Sequence, residues 1–134
     1  MKIILDTNVF ISGVFFSGPL YQILKAWRNG KVRLVISHDI LAEYQRVGET
    51  LAQQFPGVDL VPILELLTVE AELILALGLP EPVCDDPDDD KFLACALASK
   101  AKLIVSGDRH LLRVSGYRGI VIVSPRKFID EYPI

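Results

Sequence analysis

The run Asp85-Asp86-Pro87-Asp88-Asp89-Asp90 packs five carboxylates into six positions. It leads directly into the apolar stretch Lys91-Phe92-Leu93-Ala94-Cys95-Ala96-Leu97-Ala98. Carboxylates held at the rim of a core repel one another, and a hard divalent cation relieves that repulsion. Two more aspartates end apolar runs: Asp6 after Ile3-Ile4-Leu5, and Asp108 after Leu103-Ile104-Val105-Ser106-Gly107. Strands that end in Asp, beside an acidic helix start, point to one carboxylate pocket at the strand ends. With only two histidines, and with Cys84 and Cys95 outside CxxC spacing, the metal expected there is an oxygen-liganded Mg²⁺ or Mn²⁺ rather than zinc.

Each acid also has a local reading. Asp6 alone would form an Asx-turn or a helix cap with Thr7 and Asn8. Glu43 borders an apolar side made by Ile40, Tyr44 and Val47; a surface role is open to it, and Asp39, one turn earlier, competes for its place. Within the acidic run Asp90 is the chosen ligand, because Leu93, Ala94 and Leu97 follow it at helical spacing. Asp86, four positions earlier, can lean toward the same ion. Asp88 and Asp89 are assigned to the helix's first turn, where negative charge suits the dipole. Asp108 follows a glycine that permits a tight turn, and an ordinary turn aspartate is the plain alternative.

These side chains need a scaffold that brings strand ends together. Residues 2–5 read as a buried strand, and 8–19 as a loop or short helix. Leu20, Ile23, Leu24 and Trp27 give residues 20–29 helical spacing, ended by Gly30. Residues 32–36 are a second strand. Ser37 caps a helix running to about Phe55, with Gly48 as its weak point. Residues 58–77 read as a further helix, followed by a Gly/Pro-punctuated linker and a short extended piece at Val83-Cys84. Asp86-Pro87 opens the next helix, through about Lys100. A strand at 103–106, a helical turn at 109–113, a strand at 120–123 and a helix after Ser124-Pro125 complete the chain. The strands are short, continuous and rich in Ile, Val and Leu, as expected when both faces are covered. The fold class is α/β, a three-layer α/β/α sandwich around a mostly parallel sheet, in one domain over residues 1–134. Ligands in such sheets bind beyond the carboxyl ends of the strands.

Composition agrees with a single packed core. The chain has 134 residues, 51% hydrophobic and 23% charged, too apolar for disorder. No apolar run reaches the ~18 residues that span a bilayer, so no membrane is expected. The N-terminus enters a strand without a signal pattern, which makes the cytoplasm the expected location. Both cysteines read as reduced and structural. The net charge is −3, unevenly spread: residues 1–90 carry six Lys/Arg against fourteen Asp/Glu, and residues 91–134 carry eight against three. The second part supplies cations for a phosphate backbone, although most of them, taken singly, read as solubilising surface charges. No GxxxxGK[ST], GxGxxG or GxSxG motif competes for the function.

The opening Ile3-Ile4-Leu5-Asp6-Thr7-Asn8-Val9-Phe10-Ile11-Ser12 resembles that of PIN domains. Asp86 to Ala96 resembles the third-acid helix of the subgroup assigned as toxins of toxin–antitoxin pairs, the VapC-like ribonucleases. Residues 103–108 resemble the strand and fourth acid that follow, and Ser37 to Tyr44 resembles the strand, polar cap and helical Glu of the second acid. The resemblance implies an α/β/α nuclease, most often an endoribonuclease, with Asp6, Glu43, Asp90 and Asp108 as its acidic set. It implies supporting roles for Asn8, Ser12 and Ser106. Ser106 stands where many relatives carry Thr, and keeps the hydroxyl.

The expected activity is Mg²⁺- or Mn²⁺-dependent hydrolysis of RNA phosphodiester bonds, with Asp6 and Asp90 as principal ligands and Glu43 and Asp108 completing the site or orienting water. Lys91, Arg109 or His110 is expected to hold the scissile strand. The alternatives are a non-catalytic RNA- or protein-binding module with a vestigial acidic site, and an aspartyl-phosphate phosphatase or receiver. The last would want a second Asp at position 8, where this chain has Asn8. RNA and an antitoxin protein are the expected partners. A homodimer is expected from the apolar surplus of Val14-Phe15-Phe16 and residues 20–24.

Overall fold

The computed structural model describes residues 1–16 and 18–134; Ser17, inside the stretch expected as a loop or short helix, lies outside the described residues. Five short strands, β1 (Lys2–Leu5), β2 (Arg33–Ser37), β3 (Glu72–Ile74), β4 (Leu103–Val105) and β5 (Val121–Val123), form one sheet in the order β3-β2-β1-β4-β5. Every pairing is parallel. Helices α1 (Thr7–Phe15), α2 (Pro19–Arg28), α3 (His38–Ala52), α4 (Val61–Glu70), α5 (Asp90–Ser99), α6 (Arg109–Leu112) and α7 (Pro125–Glu131) flank it. The expected α/β class holds, and the sheet is wholly rather than mostly parallel.

The central strands are apolar throughout because both faces are covered. Ile3, Ile4, Val35, Ile104 and Val105 are fully buried. Helix α5 packs across β1, β2, β3 and β4 through Phe92, Leu93 and Cys95, each buried. Register matters most between β1 and β4, where Leu5 pairs with Val105. The next residues, Asp6 and Ser106, therefore leave the sheet side by side at its carboxyl edge.

The caps follow local chemistry. The Ser37 hydroxyl accepts from the Ile40 N–H at 3.2 Å, and the Ser124 hydroxyl from the Lys127 N–H at 3.2 Å. Gly48 is less a weak point than a close approach: a Cβ there would lie 2.7 Å from Leu60 Cδ2. Gly107 plays no such part, since its backbone is not left-handed and open space surrounds it. The turn before Asp108 does not require a glycine.

The expected helix over 58–77 is corrected. Helix α4 covers only Val61–Glu70, and the chain then turns extended to pair β3 with β2, Val35 opposite Glu72 and Ser37 opposite Ile74. The Glu, Ala and Leu of this stretch favour helix, but an open sheet edge offers them a hydrogen-bonding partner, and tertiary context outweighs propensity. Val83-Cys84 forms no strand. Pro87–Asp89 is a 3₁₀ turn that precedes α5 rather than its first α-helical turn.

The apolar residues of the N-terminal helices divide between core and surface, with Val14, Phe15 and Leu20 half-buried. Ile23 and Leu24 belong to the core, while Phe16 and Tyr21 stay exposed and Phe16 meets Phe55 edge to face. Both cysteines are free and buried, as expected of structural thiols, and burial pushes each up to about 12. Among the described residues no single helix is long and apolar enough to cross a membrane.

Candidate active site

Asp6 is the hinge between β1 and α1, and its side chain is 7% exposed. Its backbone N–H donates to Val105 O at 2.9 Å, extending the β1–β4 ladder by one residue. The Ser106 hydroxyl donates to Asp6 Oδ2 at 2.7 Å and accepts from the Asp108 N–H at 3.0 Å. One buried hydroxyl thus holds the first acid and sets the backbone that carries the fourth. Asp108 in turn caps α6, accepting from the His110 N–H at 2.9 Å. From beneath, the buried Tyr44 hydroxyl donates to Leu5 O at 2.5 Å. Tyr44 also stacks on Phe10 at 4.2 Å, which locks α3 to α1.

Within the acidic run, Asp90 and Asp86, both expected at the ion, accept backbone hydrogen bonds. Asp90 is half-buried, and both its carboxylate oxygens face the preceding loop: Oδ1 accepts from the Cys84 N–H at 2.8 Å, Oδ2 from the Val83 N–H at 3.3 Å. Asp86 is exposed and accepts from the Asp88 N–H at 3.0 Å, capping the 3₁₀ turn. Asp89 is the member that senses the pocket. Burial, then the charges of Asp6, Asp108 and Asp86, push its carboxyl up to about 6 against an opposing pull from Lys91. Asp6 moves the same way: burial raises it, the Ser106 hydroxyl and the Thr7 N–H lower it, and Asp108 and Glu43 raise it again, with a net upward result.

The sequence places Asp89 in the helix's first turn, and its helical spacing is strongly apolar. Phe92, Leu93 and Ala96 lie at i+3, i+4 and i+7 from Asp89, and all three are fully buried. For Asp90 the corresponding set ends in Leu97, which is only half-buried. The more apolar of the two faces belonged to Asp89.

Glu43, not Asp39, is the inward acid of α3. The Thr7 hydroxyl donates to Glu43 Oε2, and Lys91 Nζ donates to Oε1 at 2.8 Å. Asp39 is exposed. Lys91 also reaches Asp88 Oδ2 and Asp88 O, each at 2.9 Å. Burial works against its charge, but the Glu43 and Asp88 carboxylates outweigh it and hold the ammonium above the ordinary lysine range. The bond to Lys91 in turn keeps the Asp88 carboxyl below its usual range. Lys91, expected as a substrate contact, is spent inside the protein.

On the other flank, Asn8, Ser12, Gly107, Asp108, Arg109 and His110 line an open groove of about 530 Å³. Asn8 and Ser12 are thereby placed beside the fourth acid. Arg109 is exposed there, and His110 Nδ1 lies 3.3 Å from Asp85.

Among the described residues, no three His, Cys, Asp or Glu side chains converge into a ready coordination sphere. The donor chemistry nonetheless fits a hard ion: Asp6 and Asp108, joined through the Ser106 hydroxyl, are oxygen donors at one sheet edge, and Asp6 and Asp89 are raised in part by neighbouring carboxylate charge.

The PIN domain family profile matches residues 2–110, which span β1 through the acid set to α6. The chain belongs to the PIN domain family. Members of that family are typically nucleases and typically metal-dependent. An uncharacterized protein of Methanocaldococcus jannaschii, MJ1680, is 28% identical over 145 residues, taking in 98% of this chain and 92% of that protein. The family match covers the elements that carry all four expected acids, and it agrees with the parallel sheet.

Proposed function

We propose that this PIN domain is a Mg²⁺- or Mn²⁺-dependent endoribonuclease. The observation that carries the reading is the placement of Asp6 and Asp108 at the carboxyl edge of the parallel sheet, joined through the Ser106 hydroxyl; their charges, after burial, raise the neighbouring Asp89 carboxyl. These three carboxylates would hold the cation. Such an ion, when bound, supplies Lewis-acid activation of a water and charge to offset the developing phosphoryl anion. The chain's own residues do the rest. The Ser106 hydroxyl fixes Asp6, and the same oxygen orients the Asp108 backbone. Arg109, on the groove beside Asp108, supplies a cation to the strand backbone, which offsets the overall charge of −3 locally, and His110 lines the same groove.

The deciding experiment is incubation of labelled RNA with the protein, with Mg²⁺ or Mn²⁺ and with a chelator. Metal-dependent internal cleavage supports the reading; intact RNA under all conditions overturns it and favours a binding module with a vestigial acidic site. The toxin role rests on the likeness of residues 86–96 and is tested separately. Induced expression in a bacterial host should arrest growth, and Asp6→Asn should relieve it; arrest by both proteins alike would refute it.

A further inference from the structure

The acidic cluster is divided into two halves by a single lysine. Lys91 Nζ has three donors, and the structure gives them three acceptors: Glu43 Oε1 at 2.8 Å, Asp88 Oδ2 at 2.9 Å and Asp88 O at 2.9 Å. Its side chain is 12% exposed and that of Glu43 13%. The second Glu43 oxygen takes the Thr7 hydroxyl. Both oxygens of this half-buried carboxylate are therefore occupied, and Lys91 is its near cation, with the exposed Arg46 farther off at 3.6 Å from Oε1. Asp6 has a neutral hydroxyl as its side-chain partner, and Asp89 has no ion pair among the described residues.

We propose that Lys91 is a positioning residue, a built-in counter-ion that withdraws Glu43 from the cation-binding set and pins the acidic turn to α1 and α3. The inference rests on the metal-dependent reading above. It assigns Asp6, Asp89 and Asp108 to the ion, and Glu43 to the frame. Thr7 on α1, Glu43 on α3 and Lys91 on α5 form one continuous tether. Through Asp88 that tether reaches the turn holding Asp89. Displacing the ammonium would leave a nearly enclosed carboxylate with only the exposed Arg46, 3.6 Å from Oε1, as counter-charge, which is costly. It would also release an oxygen donor beside the pocket.

The test is calorimetric titration of Mn²⁺ into the folded protein and its variants, without RNA. Glu43→Gln should leave Mn²⁺ affinity within about twofold of the parent, whereas Asp89→Asn should weaken it about 10-fold or more. Lys91→Met should tighten binding at least about threefold, and adding Glu43→Gln to it should return the affinity to the parent value. Glu43→Gln weakening Mn²⁺ as much as Asp89→Asn would overturn the proposal, because Glu43 would then be a ligand. Metal-free melting provides the second readout, independent of any ion. Lys91→Met should lower Tm by about 4 °C or more, and the double variant should recover most of that loss. Additive losses in the double variant would also overturn it. Absence of Mn²⁺ binding by the parent would instead defeat the metal reading, leaving the melting cycle to judge the Lys91–Glu43 pair.

Discussion

Ser106 Oγ lies 2.7 Å from Asp6 Oδ2, although one hundred positions separate the two residues. The parallel pairing of Leu5 with Val105 makes the contact unavoidable, since each residue is the next one out of its strand. The same hydroxyl accepts from the Asp108 N–H, so it cannot be lost without effect on two acids. Ser106→Ala should cost about 1–3 kcal/mol of stability, because it strips a buried carboxylate of its donor. Ser106→Thr should restore both stability and cleavage. Thermal melting with an RNA cleavage assay checks this, and equal behaviour of the Ala and Thr variants would count against the role.

Asp89 and Asp90 should separate cleanly in experiment. Asp89→Asn is expected to lower metal-dependent cleavage about 10- to 100-fold while leaving metal-free stability unchanged or raised, since it removes one charge from a repulsive set. Asp90→Ala should act on the fold. It leaves the Val83 and Cys84 N–H groups without an acceptor, at about 1–3 kcal/mol. Denaturant unfolding and cleavage rates, measured on both variants, decide the assignment. A stable but inactive Asp90→Ala would return Asp90 to the ligand role.

The strand ends were legible because Ile, Val and Leu runs closing on Asp6 and Asp108 can only be buried strands with a polar exit. Their adjacency followed from the parallel arrangement. The apolar set after Asp89 in α5 was legible, but the placement of Asp86 relative to Asp90 was not. A 3₁₀ turn over Pro87–Asp89 advances three residues per turn, so a wheel drawn at 3.6 from Asp86 misaims the side chains after it. Strand β3 was hidden for another reason: Glu72, Leu73 and Ile74 gain extended structure only from the open edge of β2, which local propensity does not register. Lys91 looked like a free cation because its partner, Glu43, is 48 positions away.

Tyr44 offers a test of the support beneath the site. Its hydroxyl donates to Leu5 O, the last carbonyl of β1, in a fully buried setting. Tyr44→Phe keeps the stack on Phe10 but removes that donor, and should cost about 1–3 kcal/mol. Because Leu5 immediately precedes Asp6, cleavage should fall as well. Unaltered stability and rate in this variant would show that the contact neither stabilises β1 nor positions Asp6.

Metal-free stability should carry the signature of Asp89. Its carboxyl is raised from 3.8 to about 6 in the folded protein, chiefly by burial and by Asp6. A raised carboxyl favours the protonated form on folding, so its stabilising contribution is complete below the unfolded value and is lost as pH climbs through the folded one. Asp6 is shifted in the same direction and adds to the loss. Asp88 is lowered by Lys91 and works with the opposite sign. The difference between the parent and Asp89→Asn therefore isolates the Asp89 term from its neighbour. From pH 4 to pH 7 the parent's Tm should fall relative to that of Asp89→Asn, with most of the change between about pH 4 and pH 6. Mn²⁺ should reverse the trend, because deprotonated carboxylates bind it and binding to the folded state stabilises. The Mn²⁺-induced rise in Tm should thus grow with pH over the same window and be small near pH 4. Calorimetric melting of both proteins, with and without the ion, measures all four curves. Parallel metal-free curves for parent and variant would exclude Asp89 as a group held in the pocket's field.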